Sequence, residues 1–281
     1  MLRIAVPNKG SLSDAASEML KEAGYRQRKD SHDLAVADQD NDVEFFYLRP
    51  RDIAVYVGEG TLDAGLTGRD LMFDSGAPVR ELMTLGFGES AFAFAGPPGR
   101  FGSVDDLAGV RVATAYPGLV RTYLKERSVD AHVVRLDGAV ETAVRLGVAD
   151  AIADVVSTGT TLRQAGLAPF GEPLMRSEAV LIGRDGGAQP ADLAVFLRRM
   201  QGVLVARRFV MLDYDVPGSH VDRACVITPG IESPTVSPLQ CEGWFAVRAM
   251  VPRGDAQSVM DRLYDLGARG ILVTTIHACR L

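Results

Sequence analysis

The chain has 281 residues, 47% of them hydrophobic and 23% charged, with a formal net charge of −6. That length gives room for two or three domains with real cores. The acid excess, with no lysine- or arginine-rich face, argues against a nucleic-acid partner, and no apolar run approaches the roughly 18 residues of a membrane span.

Leu2 to Val6 reads as a short buried strand, followed by Pro7-Asn8-Lys9-Gly10-Ser11 and a helix from about Leu12, with Ser11 or Ser13 as its cap. Ligands of open α/β sheets gather beyond the carboxyl ends of strands. Lys9 is therefore placed either to meet a phosphate or to be a solvated loop lysine. Leu34 to Ala37 and Val43 to Leu48 read as two strands around Asp40-Asn41-Asp42. The second runs into Arg49-Pro50-Arg51-Asp52 and a helix to Val57, so Arg49 and Arg51 fall at another strand end and join Lys9 near one rim. A further strand ends at Thr67. Gly68 then permits close backbone approach, and Asp70 falls in the first turn of a helix, where the dipole alone favours a carboxylate.

Ser90 to Gly96 and Ser177 to Gly183 share a shape: a polar start, a strand-like run and a closing glycine. They bracket a segment with its own strands and helices, as two hinge strands joining two lobes would. Inside it, Ser103 to Gly109 reads as a capped short helix, Val110 to Ala115 as a strand, and Tyr116-Pro117-Gly118 as the lead into a helix through Arg127. Asp137 and Gly138 cap a helix with Val140, Val144 and Leu146 as its stripe, closed by Gly147. Ala151 to Val156 reads as a central strand buried on both faces. Ser157-Thr158-Gly159-Thr160-Thr161 then turns into a helix from about Leu162. Hydroxyls and unpaired N–H groups at such a turn make an anion cradle, and Asp150 and Asp154 upstream are placed to hold ribose hydroxyls or a hydrated Mg²⁺. The same residues also serve as an ordinary helix cap and strand boundaries.

Leu193, Phe196, Leu197, Met200 and Leu204 form a packing stripe on a helix between Ala188 and Arg207. Beyond Phe209 the order is strand, helix, two strands, helix, strand: Val210 to Val216, Ser219 to Val226, Ile231 to Leu239, Gly243 to Val251, Asp255 to Leu266 and Gly270 to His277. That βαββαβ order is a ferredoxin-like split unit. Four scattered histidines and three widely spaced cysteines show no zinc spacing and no disulfide framework. Serine-hydrolase and P-loop signatures are absent from the sequence. Met1-Leu2-Arg3 leads into a strand without a signal pattern, so the expected compartment is the cytoplasm.

Glu141, Gly147, Ala149, Ile152, Asp154, Val155, Thr158, Gly159, Thr161 and Leu162 together match the signature of the ATP phosphoribosyltransferases. The resemblance is to the long form and runs from Leu2 to Leu281, with Pro229 to Thr235 matching a turn of that form. The central lobe is similar to the second lobe of type II solute-binding proteins. The fold implied is α/β: a two-lobed, type II periplasmic-binding-protein-like catalytic core followed by an ACT-like regulatory domain. Residues 1–90 with 184–208 would form lobe I, residues 91–183 lobe II, and residues 209–281 the regulatory domain.

The resemblance implies condensation of ATP with 5-phosphoribosyl 1-pyrophosphate, Mg²⁺ as cofactor, histidine as inhibitor, and a homohexamer in equilibrium with dimers. It implies catalytic roles for Asp154, Lys9, Arg49 and Arg51, with Asp154 also a metal ligand. Substrate contacts fall to Asp150, Ser157, Thr158, Gly159, Thr160 and Thr161, with Gly68 and Asp70 against the nucleotide. Asp215 and Thr235 are the candidates for histidine contacts, or else they only stabilise turns. One departure is visible: Ser11 stands where the family often has arginine. A non-catalytic solute sensor and a phosphoribosyltransferase acting on another base are the competing readings.

Overall fold

The computed structural model describes residues 1–30, 32–156, 160–186 and 190–280. Strands buried along nearly their whole length build the centre of its first layer. β1 (Leu2–Pro7) is buried at every position but Leu2's neighbour Arg3. α1 (Ser11–Glu22) buries Ala16, Met19 and Leu20 at helical spacing. β2 (Ala35–Asp38) and β3 (Val43–Leu48) form the expected hairpin, with Val43, Phe45 and Tyr47 turned inward. α2 (Pro50–Gly58) opens with proline, whose missing N–H costs nothing at a first turn, and lays Ile53, Ala54 and Val57 on the sheet. β4 (Ala64–Gly68) is wholly buried and leads directly into α3 (Arg69–Ser75), and β5 (Val79–Thr84) follows. At Gly65 an added methyl would overlap Ile53 and come within 3.1 Å of Ala5 Cβ, so glycine is what lets α2 lie this close to the sheet.

The second layer starts with β6 (Ser90–Gly96) and β7 (Arg111–Thr114). It continues through α4 (Pro117–Glu126), β8 (His132–Arg135) and a short α5 (Thr142–Arg145). It closes with β9 (Ala151–Val156), α6 (Thr160–Gln164) and β10 (Ala168–Ser177). β11 (Ala179–Arg184) returns to the first sheet. Among the described residues the first sheet has the order β2-β3-β1-β4-β11-β5 and the second β10-β6-β9-β7-β8. β3, β1 and β4 run parallel in one, as do β8, β7 and β9 in the other. This is the two-lobed core expected from the resemblance.

The crossings lie side by side. Ser90 pairs with Ser177, Ala179 N–H donates to Phe87 O at 2.9 Å, and Leu85 N–H donates to Ala179 O at 2.9 Å. The return to the first sheet thus comes at Glu178, ahead of the boundary expected at 183/184, because β11 is hydrogen-bonded between β4 and β5. Two further expectations need correcting. The helix expected from Glu141 to Gly147 is a single turn, and Leu146 is exposed instead of completing a stripe, since Gly138 and Ala139 take positive φ and hold the chain in a turn. β9 is buried on both faces only through Ala153; Asp154 and Val155 emerge at its carboxyl end.

Ala194–Leu281, with Glu22–Gly24, forms a second compact unit. Most of α7 (Ala191–Arg208) is therefore counted with the C-terminal segment and not with lobe I. Beyond it come β12 (Phe209–Pro217), α8 (Val221–Ile227), β13 (Thr235–Pro238), β14 (Trp244–Pro252), α9 (Ala256–Asp265) and β15 (Arg269–Thr275). The sheet order β13-β14-β12-β15, antiparallel throughout, is the ferredoxin-like one. Its core sets Val210, Leu212, Tyr214, Val216, Val247 and Val251 against Ala224, Val259 and Leu263 of the helices. Tyr214 Oη and Thr228 Oγ1 share a buried hydrogen bond of 2.7 Å, which satisfies the phenol where burial alone would penalise it. β13 is shorter than the strand expected from Ile231 because Gly230 at φ 70° and Pro234, which has no N–H, keep the approach as a turn.

Candidate active site

The carboxyl ends of the parallel strands of both lobes open onto one cleft of about 750 Å³, a volume suited to small-molecule sites. β1 delivers Lys9 to it. β3 delivers Arg49 and Arg51, the latter in the first turn of α2. From the second lobe come Tyr116 after β7, Arg135 at the end of β8 and Asp137 just beyond it, and Asp154 near the end of β9. The three cations singled out from the sequence are thus brought together, and Asp154 lines the same cavity from the opposite lobe. Lys9 and Arg49 have no carboxylate partner among the described residues, which leaves their charge available to an anion.

Asp154 is half-buried. Burial, the largest cause, pushes its carboxyl above the usual range, and the charges of Glu141 and Asp70 push the same way; the Val155 N–H and Arg51 act against them. Val155 N–H donates to Asp154 Oδ1 at 2.8 Å and fixes the carboxylate's direction. A partly desolvated acid held among other acids and facing cations is stabilised by any cation brought beside it. The donor set, one or two carboxylates with room for substrate phosphate, suits Mg²⁺, which keeps waters and rarely takes a full protein cage. No group of three or more His, Cys, Asp or Glu side chains placed to hold a metal occurs among the described residues.

A second compartment of about 380 Å³ adjoins the cleft, lined by Lys9, Ser11, Pro50, Gly68, Asp70, Leu71, Tyr116 and Ser177 among others. Gly68 and Asp70 lie here. Asp70 is buried: its Oδ1 accepts from Ser177 Oγ at 3.0 Å and from Leu71 N–H at 2.9 Å, while its own N–H donates to Ser177 Oγ at 3.0 Å. It therefore organises the start of α3 and borders the compartment at once. An added methyl at Gly68 would overlap Asp70 Oδ1. Tyr116 lines both compartments, and its phenol is pushed well up, first by burial and then by the Asp70 charge.

Asp150 is not part of this assembly. It sits at the amino end of β9, about 13 Å of strand from Asp154. Arg111 Nε contacts its Oδ2 at 3.0 Å and Arg100 its Oδ1 at 3.3 Å. These partners, Arg111 first, hold it down to about 2. Its proximity to Asp154 in sequence misled because side chains four apart on a strand share a face but not an end. Of the expected phosphate turn, Ser157, Thr158 and Gly159 lie outside the described residues; Thr160 and Thr161 open α6. Missed in the sequence were Tyr116, Arg135 and Asp137; Tyr116 follows a strand end as Lys9 does and was legible by that rule, whereas Arg135 ends and Asp137 follows β8, a strand the sequence pattern did not reveal.

In the second unit, Asp215 and Thr235 both lie on the sheet face turned away from the helices. They are two strands and two residues apart, about 12 Å by sheet spacing. Asp213 on the same face pairs with Arg248 at 2.6 Å. No helix among the described residues is long and apolar enough to cross a membrane.

A family model described as ATP phosphoribosyltransferase matches residues 49–202, and one described as the HisG C-terminal domain matches residues 206–278. An ATP phosphoribosyltransferase of Pseudarthrobacter chlorophenolicus is 62% identical over 284 residues, and one of Streptomyces avermitilis 62% over 285; each alignment covers both chains fully. The solved ATP phosphoribosyl transferase (HisG:HisZ) complex from Thermotoga maritima superposes with a TM-score of 0.64 at 25% identity, covering 73% of this chain and 98% of that one. The chain belongs to the ATP phosphoribosyltransferase family, in its long form with the C-terminal domain.

Proposed function

We propose that the chain joins ATP to 5-phosphoribosyl 1-pyrophosphate, giving N1-(5-phosphoribosyl)-ATP and pyrophosphate, the first step of histidine biosynthesis. The carrying observation is the cleft in which Lys9, Arg49 and Arg51 of one lobe face Asp154 of the other. The adenine N1 lone pair attacks the anomeric carbon; the C–O bond to pyrophosphate breaks and its electron pair leaves with the diphosphate. Adenine N1 is nucleophilic at neutral pH, so no strong base is needed, and the barrier lies in charge separation at the sugar. Lys9, Arg49 and Arg51 receive the growing negative charge on the diphosphate. Asp154 orients ribose hydroxyls and favours the oxocarbenium-like ring. Mg²⁺, held by Asp154 together with substrate oxygens, would supply further charge neutralisation on the diphosphate.

Ser157, Thr158, Gly159, Thr160 and Thr161 take the 5-phosphate, an assignment that rests on the family signature. Gly68 and Asp70 meet the nucleotide in the compartment bounded by Tyr116 and Leu71. Closing the lobes on both substrates excludes water, which would otherwise hydrolyse the activated sugar. Histidine binds the open sheet face of the C-terminal domain. By the family resemblance, the site is completed between subunits of a homohexamer that dissociates to dimers. Consumption of ATP and the activated sugar places the enzyme in the cytoplasm.

The test is direct. Protein, ATP, phosphoribosyl pyrophosphate and Mg²⁺ should give the ultraviolet change of the N1 adduct, chelation of Mg²⁺ should stop it, and histidine should suppress it. Equal turnover with free adenine or orotate in place of ATP would overturn the assignment of substrate.

A further inference from the structure

α4 begins without a cap of its own. Tyr116 at the cap position makes no side-chain cap hydrogen bond, Pro117 has no N–H, and no acid occupies the first turn. The N–H groups of Gly118 and Leu119, second and third in the helix, are the ones a capping side chain normally serves. Here both donate to one oxygen of Asp74, at 2.8 and 3.1 Å. Asp74 belongs to α3, in the other lobe. The cap is supplied across the cleft.

The other oxygen of Asp74 takes Arg51 Nη1 at 3.4 Å, and the Arg51 guanidinium lies 4.6 Å from the centre of the Tyr116 ring. Arg51, Asp74, the start of α4 and Tyr116 therefore close a ring of contacts that spans both lobes. Gly118 is a condition of that ring: a methyl there would overlap the Asp74 carbonyl oxygen and lie 3.3 Å from Oδ1. Asp74 is largely buried, at 13% exposure, whereas Arg51 keeps 40%. The guanidinium carries five N–H donors in a fixed fork, so one spent on Asp74 leaves others free for an anion.

We propose that Asp74 is a positioning residue that ties the orientation of Arg51 to the separation of the lobes. When the lobes part, Asp74 loses Gly118 and Leu119, Tyr116 withdraws from the Arg51 face, and the cation is no longer held where the diphosphate departs. Arg51 is in place only in the closed cleft. This rests on the assignment of Arg51 to the diphosphate rim.

The experiment is a mutant cycle on the full-length enzyme. Asp74→Asn keeps an oxygen for the two N–H groups but removes the charge that holds Arg51; Gly118→Ala disturbs the cap and leaves both charges. Each should lower kcat on the order of tenfold, within the range for residues sharing one network, with KM for ATP unchanged and thermal unfolding still cooperative. Asp74→Asn combined with Arg51→Ala should be no slower than Arg51→Ala alone. Fully multiplicative losses in the double variant, or wild-type kcat in both single variants, would overturn the coupling while leaving the rim assignment intact. Wild-type kinetics in Arg51→Ala would instead remove Arg51 from the rim, and the coupling with it.

Discussion

Replacing Asp154 by asparagine should separate activity from stability. Val155 N–H holds the carboxylate oxygen at 2.8 Å, and asparagine preserves that bond, so the change is one of charge more than shape. A carboxylate about 4 Å from a developing ring cation, at an effective dielectric near 20, is worth about 4 kcal/mol. By transition-state arithmetic that is roughly a thousandfold in rate. Single-turnover formation of the N1 adduct reads it directly. Stability should move the other way. Burial first, and the Glu141 charge second, raise the Asp154 carboxyl above its unfolded value, so the contribution to stability is full below about pH 3.9 and is lost as pH rises through the folded value. At neutral pH the ionised acid is a net cost that asparagine removes. Asp154→Asn should therefore unfold at a higher temperature than wild type at pH 8, with the gap closing towards pH 4. A variant that turns over within threefold of wild type, or that is less stable at pH 8, would refute the reasoning.

Three other substitutions probe the frame. Asp150→Asn should keep kcat and lose about 1 kcal/mol or less at pH 7, as exposed pairs do. Asp150 is held down to about 2 by Arg111 and Arg100, so its contribution is present above about pH 3.9 and disappears as pH falls through the folded value; chemical denaturation at pH 7 and below about pH 2 checks both ends. Gly65→Ala forces a methyl between Ile53 and Ala5 and should cost about 1–3 kcal/mol, seen as a lower denaturation midpoint with KM values unchanged. Arg69 donates to Glu81 at 2.9 and 3.0 Å and to Glu178, at the return crossing, at 3.1 Å. Arg69→Met leaves those half-buried acids unpaired and should cost about 1.5–3 kcal/mol in the same assay.

The strand-end rule made the cations of the cleft legible in the sequence, because a parallel strand delivers whatever follows it to one edge: it singles out Lys9, Arg49 and Arg51, whereas the nucleotide role of Asp70 comes from the family resemblance. The same rule, applied to the strand read from Val110 to Ala115, points to Tyr116; Arg135 lay outside its reach because no strand was read at 132–135. The βαββαβ order of the C-terminal unit was readable because apolar runs are separated by turn residues, and β12 alternates cleanly from Val210 to Val216. Asp150 was misplaced because sequence nearness was taken for spatial nearness along an extended chain. Leu146 was misjudged because Gly138 and Ala139 set a turn where a periodic pattern pointed to a longer helix. The capping of α4 by Asp74 lies 44 residues away in sequence, and no local pattern encodes a cap supplied from another lobe.

The most direct measurement is a crystal structure of the enzyme with phosphoribosyl pyrophosphate and Mg²⁺ bound. The diphosphate should lie against Lys9, Arg49 and Arg51, with the pentose hydroxyls at Asp154. A sugar bound away from that cleft, with Asp154 and the three cations untouched, would contradict the account.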